Sequence, residues 1–340
     1  MIILLNLLFL ANSLSAHVHH ANKAILTDFA QSIIHKHQNP KNCSQFKLAI
    51  TDGHEWGMGS EMHVVGSHLA DAMNHGFILT WGAGSCSRWV NETTCHAGCE
   101  CIYQKLTHCP LIHVVKHYRG EEVRFSVPHI LHSRLRQEFP AMTENQIRYW
   151  WRAQSVGYVM RVQSHYLDEI QKMRSTPSLH YHFSPQLPPG TISAHIRSGD
   201  KYKEMELVQP EVFVRHYLHR VAANPLSYSR TLFVSSDNLQ SIQYCVDALE
   251  RKGHTVIYTK MERMEGGHDI SKLRDFHTNI TRVVLENLLQ LYMALEADGW
   301  IGTRESNWNR LIDELRCIWV DKCSMVFDEI GNLQHDYYEW

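Results

Sequence analysis

The 340-residue chain lacks a charge excess of either sign: 33 Lys and Arg stand against 35 Asp and Glu, a net charge of −2. A broad nucleic-acid surface needs a large basic excess, so a nucleic-acid partner is excluded. Long hydrophobic runs are missing too. Residues 2–10 form a short one, well below the roughly 20 residues a membrane span needs, and no later stretch is longer. The 25 histidines include no H-E-x-x-H pair, so surface and hydrogen-bonding roles are expected of them. The nine cysteines include no C-x-x-C pair. The tightest spacing is Cys99-x-Cys101, which favours disulfides over zinc.

What is present fits a secreted globular protein. Apolar residues make up 44% and charged residues 20%, ordinary values for a packed chain, and the length suits one large domain or two medium ones. Residues 2–10, followed by small residues up to Ala16, read as a signal peptide over 1–16 without a basic lead. Cys86, Cys95, Cys99, Cys101 and Cys109 crowd into an insert over 86–109, while Cys43, Cys245, Cys317 and Cys323 stand apart. The odd count leaves one thiol free or intermolecular, and the connectivity is open. Sequons begin at Asn42, Asn91 and Asn279. The expected location is the secretory pathway (Golgi or ER lumen) or outside the cell.

Two α/β halves are expected. In the first, over 17–185, a short helix over 27–35 precedes a strand over 46–51. A loop with Gly57 and Gly59 follows, then a helix over 61–74 capped by Ser60 and a strand over 77–81. Strand, loop, helix and strand imply a parallel sheet, and the loop leaves a strand at the end where such sheets bind ligands. A tight turn without a ligand explains the glycine pair equally well. Thr143 and Gln146 form a capping-box pattern at the head of one long helix or two, over 143–174. Trp150 and Trp151 read as core. Residues 111–140 carry no clear pattern. The second half, over 186–330, alternates strands at 192–196, 231–237, 256–258 and 300–303 with helices at 210–222, 239–252, 283–297 and 307–316. A charged loop is expected over 263–275 and a tail over 331–340. Clefts between two such halves are favoured ligand sites.

The chain is organised around residues 191–207, TISAHIRSGDKYKEMEL. A strand ends there in His195, Arg197, Asp200 and Lys201. Arg offers a planar fork and Lys a point charge, so the ending suits an anion such as a diphosphate.

H-I-R-S-G-D-K (His195 to Lys201), L-F-V-S-S-D-N (Leu232 to Asn238) and A-D-G-W-I-G-T-R-E-S-N-W-N-R (Ala297 to Arg310) resemble the three ordered motifs of the α1,6-, protein O- and rhizobial fucosyltransferase superfamily. G-M-G-S-E-M-H-V-V (Gly57 to Val65) and W-W-R-A-Q-S-V-G-Y-V-M-R (Trp150 to Arg161) resemble the Gly-rich turn and long helix of its α1,6 branch. The resemblance runs from about 46 to 320. It implies a GT-B-like α/β fold, two Rossmann-like doubly wound halves facing a cleft. It implies transfer of fucose from GDP-fucose, with inversion and without a metal or other cofactor, to a glycan or glycoprotein, in the α1,6 branch the N-glycan core. By resemblance Arg197 binds the diphosphate, His195 lies by the guanosine and Asp200 braces the motif. Lys201 neutralises the leaving phosphate, and Ser306 and Asn307 donate from a helix start. Asp237, followed by Asn238, sits on the nucleotide side, and Gly57 and Gly59 line the cleft.

The chemistry asks for the same parts: fixed cations for the developing phosphate charge and a carboxylate to take the acceptor proton. The chain has no D-x-D motif, so Arg197 and Lys201 stand in for a divalent ion. It departs from the family's H-V-R-R-T-D-K at Ser198, which weakens phosphate binding or shifts the second arginine's job to Arg304. The family's glutamate falls on Met205, flanked by Glu204 and Glu206; either is a candidate base. An acidic position of the family falls on Gln290. A non-catalytic glycan- or GDP-sugar-binding protein, or a transferase using another GDP-sugar, stays open.

Overall fold

The computed structural model describes residues 23–52, 57–91, 95–119, 126–175, 186–203, 206–261, 263 and 279–331. The expected signal peptide, Glu204, nearly all of the 263–275 loop and residues 332–340 lie outside these. Among the described residues no helix is long and apolar enough to cross a membrane.

The first half is a small parallel sheet. Its strands are β1 (Lys47–Asp52), β2 (Phe77–Trp81) and β3 (Val114–Arg119), in the order β2-β1-β3. Helix α1 (Thr27–Gln38) precedes β1, and α2 (Met58–Asn74) joins β1 to β2. Ser60 does not cap α2. Gly57 is the N-cap, and its carbonyl accepts Glu61 N–H at 3.0 Å, so the helix begins three residues before the expected 61. Helix α3 (His129–Glu138) follows β3. The stretch expected as one long helix or two is two, α4 (Glu144–Val159) and α5 (Ser164–Arg174). Thr143 and Gln146 make both bonds of the capping box. Trp150 and Trp151 are buried core, their indole N–H groups bonded to the carbonyls of Ile25 and Gly66.

The second half holds five parallel strands: β4 (Ile192–Ile196), β5 (Thr231–Ser236), β6 (Thr255–Ile257), β7 (Gly299–Gly302) and β8 (Phe327–Glu329). Their order is β6-β5-β4-β7-β8. Connecting helices are α6 (Pro210–Ala223), α7 (Leu239–Glu250), α8 (Ile280–Glu296) and α9 (Asn307–Ile318). The strands bury both faces, alternating with period two. Ile192, Ala194, Leu232, Val234 and Ile301 pack on α6 and α7. Phe233, Ile257 and Trp300 join the core that contains α8 and α9. That core is continuous with the first half through α2 and α4, so the two halves share one packed interior.

Four disulfides form: Cys43–Cys109, Cys86–Cys99, Cys95–Cys101 and Cys317–Cys323. Two of them staple the expected insert. Cys245 is the free thiol, and it is buried.

Candidate functional site

The strand order locates the site. From β4 the chain moves to β5 and β6 on one side, then returns to β7 and β8 on the other. The connections therefore part at the carboxyl ends of β4 and β7, which opens a crevice where open parallel sheets bind ligands. Two of the three ordered sequence motifs, His195 to Lys201 and Ala297 to Arg310, run out of these two strand ends.

β4 runs out into Arg197, Ser198 and a 3-10 turn over Gly199–Lys203. Gly199 takes φ 59°, in the left-handed region, which an L side chain enters at a cost of about 1 kcal/mol or more. The turn folds Asp200 back onto Arg197, Oδ1 lying 2.5 Å from the guanidinium. Asp237, from the end of β5, grips the same guanidinium and also accepts Ser198 N–H at 2.9 Å. Arg197 is thus held by two carboxylates, and Asp237 orients a cation as well as bordering the crevice. Lys201 is buried in the turn.

His195 and Ser235 are cross-strand neighbours on the face toward α9, and His195 Nδ1 meets Ser235 Oγ at 2.9 Å. His195 Nε2 is buried with no hydrogen-bond partner among the described residues. Burial pushes this imidazole down to about 4, with Arg197 adding to the shift and Asp237 opposing it, so the ring is neutral at pH 7. The indole of Trp308 lies 6.4 Å away between ring centres. Asn309 donates to the His195 carbonyl at 3.2 Å, tying the first turn of α9 to the end of β4.

Ser306 is the N-cap of α9, buried, with no side-chain cap bond. The first amides of the helix have no intrahelical acceptor, and this end favours an anion. The first turn of α2 comes against it from the other half. A Cβ on Gly59 would stand 3.2 Å from the backbone of Asn307, so only glycine allows this approach without displacement. The glycine loop expected to line the cleft therefore brings a second helix start to the first one.

The contact is held by charges that sequence reasoning missed. His63, on α2, meets Glu314 Oε2 through Nε2 at 2.7 Å, and its Nδ1 lies 3.0 Å from the side-chain amide of Asn307. Burial pushes His63 down to about 4 although Glu314 pulls the other way. Arg152, from α4, stands 3.6 Å from the other Glu314 oxygen, and Arg310 donates to Asn307 Oδ1 at 2.5 Å. No local signal joins His63 to a partner 251 positions away.

Other expected residues fall differently. Arg304, the expected substitute for a second phosphate arginine, is committed elsewhere. Its Nε donates to buried Asp313 at 2.7 Å, its N–H to Glu329 at 2.9 Å, and its guanidinium covers Phe327. Burial disfavours the Asp313 charge, but Arg316 and Arg304 outweigh it and hold the carboxyl at about 2. Asn238 caps α7, accepting Gln240 N–H at 2.8 Å. Glu206 is exposed and makes no ion pair among the described residues. Gln290 bonds the sulfur of Met261 at 2.7 Å.

Arg263, read from sequence only as part of a charged loop, borders the site. It donates to the carbonyls of Ser236, Met261 and Thr259, each at 2.9 Å. Burial lowers it to about 10 while Glu286, Tyr258 and Asp237 oppose that. It therefore stays charged beside the end of β5.

Among the described residues two clusters gather metal-type ligands, Cys43 with His108 and Cys109, and Glu61 with Cys86 and Cys99. In each, both thiols are consumed by a disulfide.

No family model matches the chain, and no curated protein does. Solved structures are similar in fold. A NodZ α1,6-fucosyltransferase soaked with GDP-fucose shares 14% identity at a TM-score of 0.45, over 79% of this chain and 92% of that one. The fucosyltransferase NodZ from Bradyrhizobium shares 11% at 0.43, over 78% and 92%. POFUT1 in complex with GDP shares 10% at 0.43, over 84% and 99%.

Proposed function

We propose that the chain is a glycosyltransferase that moves fucose from GDP-fucose to a glycan or glycoprotein of the secretory pathway. One observation carries this reading. Three sequence motifs, more than a hundred residues apart at their extremes, supply the groups around one crevice at the switch point of a parallel sheet. Arg197 faces the diphosphate, its fork fixed by Asp200 and Asp237 before any ligand arrives. A guanidinium already oriented loses little freedom on binding, and its charge meets the one that develops as the sugar–phosphate bond breaks. The starts of α9 and α2 add backbone donors to the same anion. Neutral His195 offers Nε2 to the nucleotide or sugar. Lys201 neutralises the departing phosphate in place of a metal ion, and the acceptor hydroxyl attacks the anomeric carbon from the face opposite the leaving GDP, so the centre inverts. Glu204 or Glu206 takes the proton of the acceptor hydroxyl. The α1,6 linkage to an N-glycan core is the acceptor reading that the Gly57-to-Val65 and Trp150-to-Arg161 motifs favour. A signal peptide over 1–16 and sequons at Asn42, Asn91 and Asn279 agree with it.

A second reading is favoured by two observations: Met205 at the family's glutamate position, and Glu206 out in solvent. It is a secreted GDP-sugar- or glycan-binding protein without transfer. An assay of GDP release from GDP-fucose, GDP-mannose and GDP-glucose, with N-glycan acceptors and without added metal, separates the readings. GDP release from GDP-fucose that requires acceptor supports the transferase. Release only from another donor reassigns the sugar, and GDP binding without release from any donor supports the second reading.

A further inference from the structure

Two of the three sequons, Asn42-Cys43-Ser44 and Asn279-Ile280-Thr281, lie wholly within the described residues, and both asparagines are exposed. Each uses its side-chain oxygen and leaves its nitrogen open. Asn42 Oδ1 accepts Ser44 N–H at 3.2 Å and the Ser44 hydroxyl at 2.8 Å. Asn279 is the N-cap of α8, and its Oδ1 accepts Arg282 N–H at 3.1 Å. Neither Nδ2 donates to a partner among the described residues. Asparagines outside the sequons differ. Asn39 Nδ2 donates to the His35 carbonyl and to the Tyr158 hydroxyl, and Asn74 Nδ2 to the Val127 carbonyl, each at 3.2 Å.

This arrangement suits a nitrogen-linked sugar. A modified asparagine keeps its carbonyl oxygen and one N–H, so the cap of α8 and the turn after Asn42 both survive the modification. The bulk of an oligosaccharide needs an exposed attachment point, and both asparagines supply one. The middle residues separate the two sites. Ile280 is buried at the start of α8 and has no covalent partner. Cys43 is bonded to Cys109, 66 positions further on. The closed turn also directs the Ser44 hydroxyl onto Asn42 itself. A sequon is read through its amide and its hydroxyl together, which requires a chain that has not yet closed this turn. At about 5–20 residues per second of synthesis, Cys109 follows Cys43 by roughly 3–13 s, and disulfides take seconds or longer to form. Attachment at Asn42 therefore competes with closure of the Cys43–Cys109 bond on one timescale. No cysteine lies in the Asn279 sequon, so attachment there has no such competitor.

We infer that Asn42 and Asn279 carry nitrogen-linked oligosaccharides, Asn279 in most chains and Asn42 in a fraction set by the Cys43–Cys109 disulfide. At each site Nδ2 bonds the anomeric carbon of an oligosaccharide held on a lipid diphosphate. The bond from that carbon to the diphosphate oxygen breaks, and one amide proton is released. The inference rests on the secretory-pathway part of the reading above and is independent of the GDP site.

The test expresses the full chain in cultured eukaryotic cells and maps occupancy by mass spectrometry. Digestion with peptide:N-glycosidase in heavy-oxygen water converts each modified asparagine to a labelled aspartate. Three samples are compared: the natural chain, Cys109→Ser, which leaves both sequons intact, and the natural chain synthesised with dithiothreitol in the medium, which needs no substitution. Total cell protein is analysed, so chains that fail to fold are counted as well. The expected result is label at Asn279 in most chains of every sample. Asn42 is labelled in a minority of natural chains, and that share at least doubles with Cys109→Ser and with the reductant. An unlabelled Asn279 in chains whose disulfides have formed overturns the modification. Equal occupancy of Asn42 in all three samples overturns its dependence on the disulfide. Chains without label whose cysteines stay reduced overturn the secretory reading itself, and the inference falls with it.

Discussion

Arg197 has two carboxylates and Arg304 has two as well, yet the two arginines do different work. Arg197 stands at the end of β4 with Asp200 and Asp237 holding it from the crevice walls. Arg304 points its fork at Asp313, a carboxylate with no solvent exposure. Removing one partner of a buried pair leaves an uncompensated charge. Arg304→Ala is expected to cost about 3 kcal/mol of stability in denaturant unfolding while leaving GDP affinity within about twofold. The sequence singled out both arginines from motif position, and only Arg197 stands at the crevice at the end of β4. The distinction was illegible because Asp313 and Glu329, which capture Arg304, lie in segments whose spacing carries no chemical signature. Asp200 was named as a brace by the family resemblance alone, and the structure shows the contact: three residues from Arg197, it is folded back onto the guanidinium by a single turn. Asp237 reaches the same guanidinium across a strand pairing that only the sheet reveals.

At the scale of elements, most of the second half was legible because its strands are short, largely apolar segments bounded by turn residues and its helices carry one apolar face. Missed elements are those whose pattern is weak. β3 alternates half-buried and exposed residues at the edge of its sheet, α3 buries only Leu131 and Leu135, and β8 has three half-buried residues. The glycine pair before α2 was ambiguous between a turn and a ligand loop. Its physical role is a close approach between helices, which depends on a partner some 250 positions away and so leaves no local mark. A valine at Gly59 would push into the Asn307 backbone, and overpacking of this kind costs about 1–3 kcal/mol. Gly59→Val is expected to lower the melting temperature and to weaken GDP binding as well, because it displaces the start of α9. A variant that melts earlier but binds GDP unchanged would detach this contact from the site.

The whole molecule is two sheets around a shared core, with buried ionisable groups at the junction that shape its stability against pH. Burial raises the Glu61 carboxyl from 4.5 to about 7, opposed by the Cys86 N–H and weaker partners. Between these values the native chain keeps a proton that the unfolded chain has lost, so this group's contribution to stability falls as pH rises from 4.5 to 7. His63 and His195 act in the other direction. Each is lowered from 6.5 to about 4, so the unfolded chain takes up protons first and stability falls as pH drops from 6.5 to 4. Glu61→Gln keeps an acceptor for Cys86 N–H and cannot ionise. Relative to this variant, the natural chain is expected to lose on the order of 3 kcal/mol between pH 4.5 and pH 7.5, read from unfolding curves at a series of pH values. The central claim is that both halves and all three motifs converge on one site for a nucleoside diphosphate. Calorimetric titration of GDP into the natural chain and Arg197→Ala, without added metal, tests it most directly. The account predicts one GDP per chain and an affinity loss of roughly a hundredfold in the variant, as expected for a charge-assisted fork removed from a diphosphate. Equal affinity in the two proteins, or no binding by the natural chain, would contradict it.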